Sequence, residues 1–177
     1  MTIRTERILI RPLVETDAED VFDYASDPQA AETMGWFPHT SLEESREILN
    51  GWILDGSRHA IVLCKSGKVI GHIAIQADSD GKSETVRELG YMIHRQYRRQ
   101  GYMQEALTAV VRKLIESGVT EIWACCFQGN RASSALLEKC GFAFCREGVF
   151  RARKIGREIP SLEYCMTPAN YAKWRGQ

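Results

Sequence analysis

Between Met103 and Ile115, apolar residues recur at intervals of three and four positions. Such spacing predicts an amphipathic helix that packs one face against a sheet. Gly118 follows shortly after and is expected to end this helix. Residues 130–142 show a shorter helical pattern, closed by Gly141. We therefore expect two helices in the second half of the chain.

The first half carries two further helical segments, 16–28 and 41–53, and each begins with a capping pattern. Thr16 is followed three positions later by a glutamate, and Ser41 is followed in the same way by Glu44. A hydroxyl residue and a glutamate at this spacing satisfy backbone N–H groups at a helix start. We therefore predict helix starts at Thr16 and Ser41, with Pro28 lying beyond the end of the first helix.

The remaining apolar segments are short, rich in β-branched and aromatic residues, and bounded by turn residues, which predicts strands. The predicted strands cover 4–13, 59–64, 68–76, 86–93, 121–127, 142–151 and 157–167. Pro12 is expected to end the first strand, Ser66 and Gly67 to form a tight turn, and 78–85 to form a polar hairpin loop.

The order of these elements predicts an α/β (α+β) fold. Its central sheet is mixed but mostly antiparallel, with about seven strands flanked by about four helices. A strand–helix–strand unit is expected at 86–127, and the last two strands are expected to be antiparallel neighbours. With 177 residues, no linker and no repeat, the sequence predicts a single domain at 1–177.

Charge excludes some partners. Lys and Arg together number 23, as do Asp and Glu, so the net charge is zero. A general attraction to nucleic acid or to an anionic membrane is therefore not expected. No apolar segment is long enough for a spanning helix, and the N-terminus lacks the apolar core of a signal peptide.

Six cysteines are present without a C-x-x-C pair or a matching group of histidines, which argues against a zinc site. We expect no metal, and we expect the thiols to be small buried apolar groups in a reducing cytoplasm. Cys125 and Cys126 adjoin within a predicted strand and should point to opposite faces. The four histidines form no constellation, so each is expected to be structural or exposed.

The segment 97–107, "YRRQGYMQEAL", places a basic turn with a glycine at the start of the longest predicted helix. Unpaired N–H groups and a partial positive charge at a helix N-terminus attract anions. Gly101 permits close approach to the backbone, and Arg98 and Arg99 add positive charge. A phosphate site fits this pattern, and so does an ordinary turn with solvated arginines. Neither a P-loop nor a dinucleotide fingerprint is present.

Two linked motifs, "ELGYMIHRQYRRQGYMQEAL" and "NRASSALLEKCGF", resemble those of the GCN5-related N-acetyltransferase (GNAT) superfamily. The closest similarity is to the branch that acetylates the N-termini of ribosomal proteins. Its pyrophosphate loop corresponds to Arg98, Arg99, Gln100, Gly101, Tyr102 and Met103, and Met103 stands where a small residue is usual. The second motif of the branch matches Asn130, Ser133, Leu137, Glu138, Lys139, Gly141 and Phe142.

The resemblance implies a GNAT fold and transfer of an acetyl group from acetyl-CoA to a primary amine by direct attack. The pyrophosphate is expected on the N–H groups of residues 99–103. The pantetheine arm is expected between strands 86–93 and 121–127, with its amides paired near Met92 and Ile93. Asn130 is expected to hold the arm from the other side, and it is also suited to cap a helix.

The resemblance also implies catalytic roles. Glu88 is expected to take the proton of the amine, although an exposed carboxylate paired with Arg87 or Arg95 fits the sequence equally. The backbone N–H near Met92 is expected to stabilise the oxyanion. Ser133 is expected to stabilise the departing thiolate, and a helix-capping role is the alternative for its side chain.

The sequence does not identify the amine that accepts the acetyl group. Met34, Trp36 and Phe37 lie in a predicted loop between two helices, where such side chains line a substrate pocket or pack into a core. A protein N-terminus, a polyamine, an amino-sugar antibiotic or another small amine fits equally well. A non-catalytic CoA-binding regulatory or interaction module is the alternative function. The last strands offer an edge for a homodimer.

Overall fold

The computed structural model describes residues 1–77 and 83–176, which form eight strands and six α-helices. The strands are β1 (Ile3–Arg4), β2 (Ile8–Pro12), β3 (Arg58–Leu63), β4 (Val69–Ala77), β5 (Val86–Ile93), β6 (Glu121–Phe127), β7 (Ala143–Ala152) and β8 (Arg157–Met166). The helices are α1 (Ala18–Ala25), α2 (Pro28–Met34), α3 (Leu42–Asp55), α4 (Tyr102–Glu116), α5 (Arg131–Lys139) and α6 (Pro168–Arg175). Of the hairpin loop predicted at 78–85, residues 78–82 lie outside the described part.

The strand order is β1-β2-β3-β4-β5-β6-β8-β7, and the pairing is mostly antiparallel, which confirms the predicted fold class. The predicted strand 4–13 is divided into β1 and β2 by a turn. In this turn, the Thr5 N–H donates to the Ile8 carbonyl at 2.9 Å, so the chain folds back on itself. Because β7 ends the order, the sheet has the edge that the sequence predicted, and dimerisation through it stays a prediction.

The chain divides into two compact units, and the predicted single domain stays a prediction. The first unit consists of Met1–Ala74 and Tyr91–Ala106. In it, β2 pairs antiparallel with β3, for example Ile8 with Leu63. Helices α1 and α3 contribute to one buried cluster together with residues from this sheet. Members of this cluster include Val21, Tyr24, Leu49, Trp52, Ala60, Val62, Val69 and Met92.

The second unit consists of Ile75–Gly90 and Leu107–Gln177. Here β5 pairs in parallel with β6, from Val86 opposite Glu121 to Leu89 opposite Ala124. This parallel pair, joined through α4, confirms the predicted strand–helix–strand unit. Strand β8 pairs antiparallel with both β6 and β7, as predicted for the last two strands. The β5–β6 register leaves the C-terminal residues of both strands outside the ladder.

The capping prediction was correct for α3 and wrong for α1. The Ser41 hydroxyl accepts the Glu44 N–H at 3.1 Å at the start of α3. The residue at the start of α1 is Asp17 instead of Thr16, and its side chain makes no capping hydrogen bond to α1. Its carboxylate accepts the Val14 N–H at 3.0 Å in the 3₁₀ turn Glu15–Asp17 that precedes the helix. The Asp17 carboxylate also pairs with the half-buried Arg11 guanidinium at 2.7 Å, which links β2 to this turn.

Two helices were not predicted, and both begin with proline. Pro28, expected beyond a helix, is the first residue of α2, where the Asp27 carboxylate accepts the Gln29 N–H at 3.0 Å. Pro168 begins α6 in the same way, with the Thr167 hydroxyl accepting the Asn170 N–H at 3.2 Å. Proline suits the first helical position because its missing N–H would have no partner there.

All six cysteines are free. Cys126 is buried whereas Cys125 is exposed, which confirms that the adjacent pair points to opposite faces. Cys140 and Cys165 are also buried, whereas Cys64 is half-buried and Cys145 is exposed, so the prediction of burial holds for three thiols. Within residues 1–77 and 83–176, no group of three or more His, Cys, Asp or Glu side chains is arranged to hold a metal ion. The described helices include none that is long and apolar enough to cross a membrane.

The four histidines are buried, and His72 is the most enclosed, with 1% of its surface exposed. Its Nδ1 atom lies 3.1 Å from the Tyr24 hydroxyl, and the ring packs at 5.0 Å from Trp52. Burial disfavours the charged imidazolium, and the positive charge of Arg58 adds to this effect. Together they lower the pKa of His72 to about 3. His72 is therefore neutral in the folded protein near neutral pH.

We predict that His72 makes the protein less stable as the solution is acidified. Folded His72 stays neutral down to about pH 3, whereas an unfolded histidine takes up a proton near pH 6.5. Acid therefore favours the unfolded chain, by up to about 1.4 kcal/mol per pH unit below about pH 6.5. His72→Gln removes this contribution to the pH slope of the unfolding free energy, measured by urea titration from about pH 7 to about pH 5.

Tyr24→Phe is the matched control. It removes the hydroxyl contact with His72 but keeps the titrating ring, so it is expected to lower stability without changing the pH slope. Equal slopes for the wild type and His72→Gln would contradict the prediction.

Candidate active site

The predicted basic turn follows the end of β5 in the first unit. The His94 N–H donates to the Ile70 carbonyl at 2.8 Å, which fixes the chain as it leaves the sheet. The His94 Nδ1 atom then accepts the Gln96 N–H at 3.1 Å and caps a short 3₁₀ turn at Arg95–Tyr97. The direction of the chain into residues 98–101 is therefore set by backbone and ring contacts before α4 begins.

The turn itself has an unusual backbone. Arg99 has a φ of 60° and Gly101 a φ of 82°, and Arg99 is the single non-glycine residue with positive φ among those described. Within the described chain, the backbone N–H groups of residues 99–103 have no hydrogen-bond acceptor. Their positions at the N-terminus of α4 match the predicted anion cradle.

Two side chains of the turn fold back on the backbone. The Arg98 Nε atom donates to the Ile93 carbonyl at 3.3 Å, and the Gln100 side-chain amide donates to the Gln96 carbonyl at 2.7 Å. Arg99 is exposed, so its guanidinium reaches solvent beside the turn. Met103, which departs from the motif of the family, is 6% exposed and packs into the interior.

The second motif lies in the second unit, at the start of α5. The Asn130 side-chain oxygen accepts the Ser133 N–H at 3.2 Å, so Asn130 is the helix cap that one interpretation of the sequence predicted. The Ser133 hydroxyl is hydrogen-bonded to the Cys126 thiol, whose pKa is raised mainly by burial. Asn130 also lines a cleft of about 230 Å³. The other lining residues are Gly129, Arg131, Ser134, Ala135, Glu138 and Leu162.

Tyr164 is a residue of this region that the sequence did not indicate. Its hydroxyl contacts the hydroxyl of Ser134 and lies 3.3 Å from the Glu138 carboxylate, and both of these residues line the cleft. Burial raises the pKa of the Tyr164 phenol. No sequence signal connects Tyr164 with residues of α5, since the contacts depend on how β8 and α5 pack.

Helix α5 is also held at its C-terminal end. Gly141 has a φ of 85°, and a Cβ atom there would lie 2.5 Å from the Trp174 ring. The Trp174 indole N–H donates to the Lys139 carbonyl at 3.1 Å, so α6 caps the end of α5. The helix that carries Asn130 and Ser133 is therefore fixed at both ends.

Glu88 is half-buried in β5, opposite Trp123 of β6 in the parallel register. The Arg87 guanidinium, one of the predicted partners of Glu88, donates to the Glu84 and Val86 carbonyls at 2.8 and 2.7 Å. The role of Glu88 as a base stays a prediction.

The segment predicted as a loop with Met34, Trp36 and Phe37 is partly helical. Met34 ends α2, and Trp36 stacks on Trp52 with 5.6 Å between ring centroids and 15° between ring planes. Both side chains pack against the core cluster of the first unit, whereas Phe37 is 69% exposed. Met34 and Trp36 therefore follow the alternative in which these side chains pack into a core, whereas Phe37 is exposed. A substrate-binding role stays a prediction.

The sequence-predicted residues thus fall into two groups, one in each unit. Met92, Ile93 and the turn 98–103 belong to the first unit, whereas Glu88, Asn130 and Ser133 belong to the second. Met92 is buried, as its place in the core cluster requires, and Ile93 supplies the carbonyl that holds Arg98.

Comparison with known proteins identifies the family. Residues 7–143 match the model of the acetyltransferase (GNAT) domain. The chain belongs to this family. It is therefore an acetyltransferase of a family that uses acetyl-CoA. The matched residues include the basic turn, Glu88, Asn130 and Ser133.

The relatives of this GNAT chain agree with the assignment. The uncharacterized N-acetyltransferase p20 of Bacillus licheniformis is 28% identical over 185 residues, covering 97% of this chain and 98% of that protein. A GNAT-family acetyltransferase structure from Bacillus anthracis is 25% identical with a TM-score of 0.82, covering 94% of this chain and 98% of its own. The ribosomal-protein-S5-alanine acetyltransferase structure from Vibrio fischeri has a TM-score of 0.74 at 16% identity. The match covers 97% of this chain and 98% of that chain, so the two share the fold.

We predict different consequences for the two aromatic residues of the acceptor segment. Trp36→Ala removes a ring stacked in the core cluster and is expected to lower the unfolding free energy by about 3 kcal/mol. Phe37→Ala removes an exposed ring and is expected to change it by less than about 0.5 kcal/mol. Chemical denaturation of both variants measures the difference, and similar losses for both would contradict this placement of Trp36.

Proposed function

We propose that the protein is an N-acetyltransferase that moves an acetyl group from acetyl-CoA to a primary amine by direct attack. The observation that carries the proposal is the turn 98–101 at the start of α4. There, the N–H groups of residues 99–103 lack acceptors within the described chain. Backbone N–H groups at a helix N-terminus bind phosphate groups well. We assign the CoA pyrophosphate to this turn.

The shape of the turn supports the assignment. Gly101 has a φ of 82°, a backbone conformation that other residues rarely adopt, and this conformation leads the chain into α4. The exposed Arg99 adds a guanidinium suited to a phosphate oxygen. Buried Met103 places no bulk on the turn, so its departure from the motif is compatible with phosphate binding.

The pantetheine amides are proposed to pair with the backbone near Met92 and Ile93, as an added strand would. Asn130 is proposed to contact the same arm in addition to its capping role. Its amide nitrogen is a donor that the cap does not require, since the cap uses the side-chain oxygen. These contacts would orient the thioester for attack.

In the proposed reaction, the amine nitrogen attacks the thioester carbonyl carbon, a C–N bond forms, and the C–S bond breaks. Glu88 takes the proton of the amine, directly or through water, and the backbone N–H near Met92 stabilises the oxyanion. The Ser133 hydroxyl donates a hydrogen bond to the departing thiolate.

The proposed acceptor is a protein N-terminus or a small amine. An α-amino group, with a pKa of about 7.7–8.0, is partly unprotonated at neutral pH, whereas lysine at about 10.4 is almost fully charged. The motif around Asn130 and Ser133 resembles the branch that acetylates ribosomal-protein N-termini, which supports the first alternative. Six unpaired cysteines support a reducing compartment such as the cytoplasm.

We predict that Gly101 is required for CoA binding. Gly101→Val forces a branched side chain into positive φ and within about 3.2 Å of the Arg7 guanidinium, which disturbs the turn. Acetyl-CoA at about 100 times its Kd is expected to stabilise the wild type by about 2.7 kcal/mol. This stabilisation, measured by thermal unfolding with and without acetyl-CoA, is expected to be lost in Gly101→Val.

Gly67→Val is the matched control, because Gly67 also has positive φ, at 74°, but nothing lies within 4 Å of an added Cβ atom. Both substitutions are expected to cost about 1–3 kcal/mol in backbone strain, but Gly67→Val keeps the acetyl-CoA effect. A wild type without this effect would contradict the donor assignment. A normal effect in folded Gly101→Val would contradict the placement of the pyrophosphate.

We predict that Glu88→Gln and Ser133→Ala lower kcat toward a panel of peptide N-termini, polyamines and aminoglycosides. Loss of a general base typically costs about 10²–10⁴-fold. For Glu88→Gln, the loss is expected to be largest at low pH, where more of the amine carries a proton. Ser133→Ala is expected to leave the acetyl-CoA affinity nearly unchanged.

Glu84→Gln, which alters an exposed carboxylate next to the same strand, is the control and is expected to keep full activity. Full activity of Glu88→Gln at every pH would remove Glu88 as the base. Binding of acetyl-CoA without turnover of any amine would favour the non-catalytic alternative.

A further inference from the structure

Arg7, in the turn between β1 and β2, reaches the start of α4. Its Nη1 atom donates to the Gln100 carbonyl at 2.9 Å, and its Nε atom donates to the Glu105 carboxylate at 2.6 Å. The guanidinium also lies over the Tyr102 ring, 4.5 Å from its centroid. One side chain from the N-terminal segment therefore contacts three residues of the proposed pyrophosphate turn and of the helix that follows it.

The contact with the Gln100 carbonyl orients a peptide group. In a trans peptide, the carbonyl and the following N–H point in opposite directions, and the described chain contains no cis peptide. Because the Gln100 carbonyl points to Arg7, the Gly101 N–H points away from Arg7. Arg7 therefore determines the direction in which one donor of the proposed cradle points.

The contact with Glu105 has an electrostatic effect. Glu105 lies in the first turn of α4, so its negative charge is close to the place proposed for the pyrophosphate. The carboxylate is 18% exposed and accepts hydrogen bonds from the Thr5 hydroxyl and the Arg7 N–H as well as from the guanidinium. Burial raises the pKa of Glu105, but these hydrogen bonds outweigh it and lower the pKa overall. Glu105 is therefore ionised, and the positive charge of Arg7 offsets it.

We propose that Arg7 is a positioning residue for CoA: it orients the Gly101 N–H toward the pyrophosphate and neutralises Glu105 beside it. Glu105 in turn holds Arg7 in place. Its Oε2 atom accepts from the guanidinium, and its Oε1 atom accepts from the Thr5 hydroxyl and the Arg7 backbone N–H. This inference rests on the proposed function, since it assigns Arg7 and Glu105 to the same CoA turn.

The test is a double-mutant cycle with Arg7→Ala, Glu105→Gln and the double variant, in which CoA binding is measured by titration calorimetry. Arg7→Ala leaves the Glu105 charge unpaired, and we expect it to weaken CoA binding about tenfold or more. Glu105→Gln alone is expected to have a smaller effect. The double variant is expected to bind CoA more tightly than Arg7→Ala, because the repelling carboxylate is gone.

Arg11→Ala is the matched control. Arg11 lies in the same N-terminal segment and pairs with Asp17 at 2.7 Å, away from the turn. Arg11→Ala is expected to lower stability while leaving the CoA affinity of the folded protein unchanged.

In turnover assays, Arg7→Ala is expected to raise the KM for acetyl-CoA while keeping kcat and the KM for the amine.

A second measurement does not depend on CoA. The amides to follow by hydrogen–deuterium exchange are the first hydrogen-bonded ones of α4, beginning with the Glu105 N–H, which donates to the Gly101 carbonyl at 2.9 Å. Their exchange is expected to be faster in ligand-free Arg7→Ala than in the wild type, and unchanged in Arg11→Ala. Arg7→Ala with wild-type CoA affinity and wild-type exchange would overturn the inference alone. A double variant that binds as weakly as Arg7→Ala would overturn the electrostatic part. A wild type that does not bind CoA would overturn the inference together with the proposed function.

Discussion

The constraint on which the proposed site depends is that several backbone N–H groups at the start of α4 must stay without acceptors. The first N–H groups of a helix have no partner within the helix, so side chains, water or a ligand must satisfy them. Here the surrounding chain contacts other groups of the turn instead. His94 caps the approach, the Arg98 guanidinium contacts the Ile93 carbonyl, and the Arg7 guanidinium contacts the Gln100 carbonyl. The two arginine contacts use carbonyl oxygens, and the N–H groups of residues 99–103 stay without an acceptor in the described chain.

The first unit provides the rigidity that such a turn needs. Met92 belongs to the same buried cluster as Tyr24 and Trp52, so the end of β5 is fixed by packing just before the turn. His72 forms part of this interior as a neutral ring in contact with the Tyr24 hydroxyl. Packing next to the turn helps to hold Arg99 at its positive φ of 60°, a conformation that costs free energy in a residue other than glycine.

The sequence predicted the strands around the site better than the helices around the core. Strands β5 and β6 have the bounds predicted from their apolar patterns, because turn residues delimit both. The starts of α2 and α6 were missed because proline follows a helix as readily as it begins one, and the local pattern does not separate the two cases. The sequence left open whether Trp36 lines a pocket or packs into the core, because its stacking on Trp52 depends on the packing of α3.

The candidate site shows the same division between local and long-range information. Asn130 as a cap and Gly101 at positive φ follow from local motifs. The contact between Arg7 and Glu105 joins residues 98 positions apart, and Tyr164 meets Ser134 across 30 positions. No periodicity encodes such pairs, since they exist only after the sheet has assembled.

The contact between Trp174 and Gly141 bears on where this protein can be shortened. The family match ends at residue 143, before β8 and α6. A recombinant fragment trimmed to that limit would lose the strand that pairs with β6 and the indole that caps α5. It would also expose the Lys139 carbonyl and the edge of β6 to solvent. The last 34 residues of the 177 are therefore structural supports for the helix that carries Asn130 and Ser133, and a tag or truncation at this end acts on that helix.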